Sequence, residues 1–73
     1  MEEKIEELLE AIYDLRIDVE FVDFRVYKIT VVLKNGQAFE LIFKIDCRST
    51  IESNVQVLVN KIDNEILKIY KKG

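Results

Sequence analysis

An Asn-Gly pair at positions 35–36 lies between two alternating apolar runs, Tyr27 to Leu33 and Ala38 to Phe43. That arrangement marks a β-hairpin, and the length of its loop decides what the chain can fold into. A two-residue turn, Asn35-Gly36, sets Val32 opposite Phe39 and throws the apolar faces of the two strands onto opposite sides of the sheet. A three-residue loop, Lys34-Asn35-Gly36, sets Leu33 opposite Gln37. Val31 then meets Phe39, Ile29 meets Leu41, and Tyr27 meets Phe43, so every large residue lands on one face. A slip of one residue inverts a whole strand, so the pattern selects the three-residue loop. Its chemistry is a type I turn closed by Gly36 at positive φ.

Residues 17–33 cannot run as one strand within a monomer. They would span ~55 Å at ~3.3 Å per residue, against a globule roughly 28–30 Å across. Ile17, Val19 and Phe21 share a face, as do Tyr27, Ile29, Val31 and Leu33, while Asp23 and Arg25 interrupt the pattern. We therefore expect a strand over 17–22, a connection near Asp23–Arg25 and a strand over 26–34. The alternative is one long strand with a strong bulge that packs on a partner subunit.

Two amphipathic helices flank this region. Ile5, Leu8, Leu9, Ile12 and Leu15 recur at helical spacing from Glu2 to about Arg16, with acids at the N-terminal dipole end. The stripe Ile51, Val55, Leu58, Ile62, Ile66, Ile69 predicts a second helix from about Thr50. Ser49 as N-cap and Glu52 three residues on form a capping box, and Lys68, Lys71 and Lys72 suit its C-terminal end. The order α-β-β-(β)-α predicts one α+β domain over residues 1–73: a two-layer sandwich with an N-terminal helix, an antiparallel two- to three-stranded meander and a long C-terminal helix. The expected inward set is Ile5, Leu8, Ile12, Leu15, Val19, Phe21, Ile29, Val31, Leu33, Phe39, Leu41, Phe43, Val55, Leu58, Ile62 and Ile66.

Composition excludes much of the usual chemistry. There is no His and a single Cys in 73 residues, so no imidazole base, Cys-His pair, disulfide within the chain or tetrahedral N/S zinc site can be assembled. Asp46-Cys47-Arg48-Ser49-Thr50 stands at a helix N-terminus, where thiols are activated. The position six after Cys47 is Ser53, however, so the phosphatase-type Cys-x5-Arg loop fails, and Cys47 reads as a small buried filler. No cofactor, metal or enzymatic activity is expected. No apolar run reaches membrane-spanning length, and the acidic N-terminus is unlike a signal peptide, so the expected location is the cytoplasm.

The net charge of −3 is uneven: residues 1–16 carry six acids and two bases, and residues 48–73 carry three and five. Net acidity argues against a broad nucleic-acid surface. Arg25, Lys28, Lys44 and the C-terminal lysines Lys68, Lys71 and Lys72 remain as a minor candidate.

The hairpin register leaves an uncovered sheet face carrying Val26, Lys28, Thr30 and Val32 beside Ala38, Glu40, Ile42 and Lys44, with Phe24 adjoining. Val26, Val32, Ala38, Ile42 and Phe24 are the candidates for self-association into a homodimer or for docking a protein partner. A second candidate surface is the acidic helix face, Glu3, Glu6, Glu7, Glu10 and Asp14. In size, charge and element order the chain resembles the small acidic α+β proteins of phages and mobile elements, including anti-CRISPR and other anti-defence inhibitors. That resemblance implies an interaction protein that inhibits a host protein by occlusion, with the acids imitating nucleic-acid phosphates. The other reading is a homo-oligomeric assembly module.

Overall fold

The computed structural model describes residues 2–72. Helix α1 (Glu2–Tyr13) is followed by strands β1 (Arg16–Asp23), β2 (Val26–Val32) and β3 (Ala38–Lys44), then helix α2 (Ile51–Lys72). The strands form one antiparallel sheet in the order β1-β2-β3, and residues of both helices join its inward face in a single core. This is the expected α+β sandwich.

The hairpin takes the three-residue loop. Val31 pairs with Phe39, Ile29 with Leu41 and Tyr27 with Phe43. Leu33 N–H donates to Gln37 O at 2.7 Å, Gly36 N–H donates to Leu33 O at 3.0 Å, and Gly36 sits at φ 90°. The chain also turns at the expected place upstream. Asp23 pairs with Val26 across the two residues Phe24 and Arg25, with a bulge at Val22. Arg25 takes φ 61°.

Central β2 supplies Ile29 and Val31, both fully buried, beneath Ile5 and Leu9 of α1 and Leu58 and Ile62 of α2. Each such side chain contributes ~1.5–3 kcal/mol by leaving water. Both helices start at the end of the sheet that carries the β1–β2 turn. α1 reaches β1 through only Asp14 and Leu15, so it runs back along that strand, and the Val19 N–H meets Glu6 Oε2 at 3.4 Å. α2 follows β3 and doubles back over it.

Several expectations are corrected. α1 stops at Tyr13 rather than near Arg16, because Asp14 adopts φ 52°, a left-handed helix end. Its buried seam is Ile5 and Leu9 with Tyr13 half-buried. This i, i+4, i+8 line turns Ile12 outward, 54% exposed. Tyr13 was not expected in the seam. Its hydroxyl donates to Asp63 Oδ1 at 2.6 Å and lies 3.0 Å from Val59 O, clasping α1 to α2. Burial first, then the bond to the Asp63 carboxylate and its charge, push the Tyr13 phenol well above its ordinary pKa.

Phe21, expected inward, is 55% exposed because no helix reaches over it. Leu9, Ile17, Tyr27 and Ile45 complete the buried set, while Leu8, Leu15, Phe39, Leu41 and Ile66 are half-buried. The N-cap of α2 is Thr50, one residue later than expected: Thr50 Oγ1 accepts the Ser53 N–H at 3.1 Å. Cys47 is exposed, not a buried filler. The side chain of Lys72 lies outside the described residues.

Candidate functional site

Phe21 and Tyr27 face each other across β1 and β2. They meet edge to face with ring centroids 6.1 Å apart. Beyond them the Val22 bulge and the two-residue turn carry Phe24 out to 71% exposure, more than the other large apolar side chains of this end. The Arg25 guanidinium stacks 4.5 Å from the centre of the Phe24 ring. Across the gap stand Ile45, which continues β3, and Ile51 in the first turn of α2. Together they line a cleft of about 370 Å³. It opens where the helices leave the inward sheet face bare.

The floor is held by a buried amide. Asn54 Oδ1 accepts the Asp46 N–H at 2.8 Å, and its Nδ2 donates to Asp46 O at 3.0 Å and Thr50 O at 2.9 Å. Ile45 N–H donates to Arg25 O at 2.8 Å, so the segment that Asn54 fixes in turn fixes the β1–β2 turn. Asp46 accepts the Arg48 N–H at 3.0 Å. That bond is the largest influence; desolvation comes next and opposes it, and the Arg48 side chain and charge and the Ser49 hydroxyl add to the bond, so the carboxyl is held below its usual pKa. Arg25, Lys44 and Arg48 line an adjoining shallow depression, so the cleft has a basic rim.

The open sheet face differs from its expected character. β1 contributes Arg16, Asp18 and Glu20 to it. At its centre Lys28 Nζ lies 3.2 Å from Glu20 Oε2 and 3.3 Å from Glu40 Oε2. Those bonds, Glu20 first and then Glu40, raise the Lys28 pKa and occupy the lysine that the sequence offered to nucleic acid. Val26 and Val32 are half-buried, Ala38 is exposed, and Ile42 is 57% exposed beside Lys28. The candidate interface residues therefore divide: these four share the open face, while Phe24 belongs to the cleft. On α1, Glu3, Glu7, Glu10 and Asp14 are exposed at spacings of three and four, whereas Glu6 turns towards the β1 edge.

Sequence reasoning missed the cleft itself. Phe21 and Tyr27 read as core, and Ile45, Ile51 and Arg48 carried no signal that they converge. Among the described residues no helix is long and apolar enough to cross a membrane, and no group of three or more Cys, Asp or Glu is placed to hold a metal ion. No family model, curated protein or solved structure matches this chain.

Proposed function

We propose that this protein is a non-enzymatic interaction module that docks a protein partner through the apolar cleft at the β1–β2 turn. One observation carries the reading: Phe24, 71% exposed, is held on a left-handed turn at the mouth of a pre-formed apolar cleft. Aromatic anchors beside desolvated pockets dominate protein interfaces, and strained backbone marks sites where geometry serves a role beyond stability. On this reading binding is itself the act. A small rigid body anchored on a partner's segment blocks other molecules from it, which is enough to occlude a site. Panning a random-peptide display library against the protein and against Phe24→Ser tests the proposal. A consensus that needs Phe24 supports it, and identical pools from both overturn it.

Ile42 favours a second reading, association of two copies through the open sheet face. Light scattering over a tenfold concentration range tests it: a mass near twice 8.6 kDa that reverts in Ile42→Lys supports it, and a monomer throughout overturns it.

A further inference from the structure

We infer that the cleft takes a short segment of a partner protein with an apolar anchor side chain flanked by carboxylates. This rests on the docking reading above and names the chemistry of the partner. Size argues first. The molecule measures 22 × 17 Å across its long axis, a cross-section of a few hundred Å² at the end that bears the cleft. A stable protein–protein interface takes ~800 Å² from each side, so this end is too small to seat a second copy stably by itself. The cleft volume, about 370 Å³, lies at the lower end of the ~300–1,000 Å³ range of ligand pockets. It has room for one or two side chains and their backbone.

Charge argues second. Arg25 lines the cleft, Lys44 and Arg48 join it around the depression beside it, and Asp46 is the one acid among the residues lining either. Asp46 is already engaged by Arg48, through its N–H and its side-chain Nε, and by the Ser49 hydroxyl. Arg25 and Lys44 make no ion pair among the described residues. Stacking of Arg25 on Phe24 uses the guanidinium face and leaves its N–H edge for a carboxylate. An apolar anchor against Phe21, Tyr27 and Ile51 therefore places its acidic neighbours on Arg25 and Lys44, the two cations of the rim that no acid among the described residues engages.

The test is a titration of the ¹⁵N-labelled full chain, followed by amide shifts, with two capped hexapeptides, Asp-Glu-Leu-Phe-Glu-Asp and Lys-Lys-Leu-Phe-Lys-Lys. The acidic peptide is expected to move the amides of Phe21, Phe24, Arg25, Ile45 and Ile51, and the basic peptide to leave them in place. Raising salt from about 50 to about 300 mM weakens the acidic peptide. The double variant Arg25→Gln, Lys44→Gln, whose own spectrum reports its fold, weakens it about fivefold, as two exposed charge contacts should. Equal cleft binding by both peptides overturns the charge selection and leaves the docking reading standing. Shifts confined to residues away from the cleft, or none, overturn the inference. The display experiment then decides the docking reading separately.

Discussion

The β2–β3 loop and the β1–β2 turn both reverse the chain through a residue at positive φ, Gly36 at 90° and Arg25 at 61°. At the loop the conformation falls to a residue without a Cβ, and nothing else is asked of it. At the turn it falls to an arginine, for which the left-handed region costs ~1–2 kcal/mol. The loop is self-contained: Asn35 Oδ1 accepts the Gln37 N–H and its Nδ2 donates to Gln37 Oε1, both at 3.0 Å, and the rest is backbone. The turn is held from outside, by Ile45 on the Arg25 carbonyl and by Asn54 behind Asp46. Strained conformations persist where their surroundings over-determine them. The difference places the rigidity of the second helix and the third strand behind the one turn that presents an aromatic and a cation to solvent.

Removing that support should produce the largest effect. Asn54→Ala removes the buried amide and leaves the part-buried N–H and carbonyl of Asp46 and carbonyl of Thr50 without it, a loss of ~2–3 kcal/mol. The whole domain holds roughly 4–11 kcal/mol at the usual stability per residue. Thermal unfolding by circular dichroism should fall by about 10–20 °C, and the Ile45 amide should exchange faster. A shift within about 2 °C would mean that the turn holds itself, like the loop, and the contrast between the two would be lost.

Next in size is Gly36→Ala. A Cβ there would meet no atom within 4 Å, so the cost is purely conformational, ~1 kcal/mol, or about 4–8 °C in Tm for a domain of this size. Peptide binding at the cleft should not change, since the loop lies at the far end of the sheet. A loss much beyond this would show that the loop carries contacts the turn was thought to hold alone.

The same contrast explains what could be read from the chain. Asn35-Gly36 announces its turn because the left-handed conformation selects Gly and Asn, and period-2 alternation then sets the register of Tyr27, Ile29 and Val31. The β1–β2 turn was legible by length, because a 17-residue strand does not fit the globule, and by the break in alternation at Asp23 and Arg25, but not by turn residues. No residue in Phe24-Arg25 signals positive φ. The cleft was illegible for a related reason. It is made by where the helices start over the sheet, and neither a stripe of apolar residues nor a cap states how far a helix reaches across the strand ends, so Phe21 reads as core although it lies beyond both. Tyr13 was missed in the α1 seam because its polar tip finds Asp63, a partner 50 residues away.

Arg25→Gly makes the turn resemble the loop. Relief of the left-handed penalty, ~1 kcal/mol, is offset by the freer unfolded chain and by loss of the stack on Phe24, ~0.5–1 kcal/mol. Stability should stay within about 0.5 kcal/mol by urea unfolding. Acidic-peptide binding should fall two- to threefold, the share of one exposed charge contact. Retained binding would assign Arg25 to the fold alone.

The smallest effect separates the two regions by pH. Asn35 and Asp46 do the same local work, each accepting an N–H two residues on, from Gln37 and from Arg48. Only Asp46 titrates. Its folded pKa lies below the ordinary value, chiefly through the Arg48 N–H, so its contribution is present above the unfolded value of about 3.9 and is lost as pH falls through the lower, folded value. An amide-shift titration from pH 6 to pH 2 should move Arg48 and Ser49 with a midpoint below about 3.9, while Gln37 stays still. Asp46→Asn should keep the turn and abolish the titration, making the connection before α2 as indifferent to acid as the hairpin loop. A midpoint at or above the ordinary carboxylate value would mean that the Arg48 N–H does not hold the carboxylate in solution. Asp46 would then be free to compete with a partner's acids for the basic rim, and the charge selection proposed for the cleft would weaken at neutral pH.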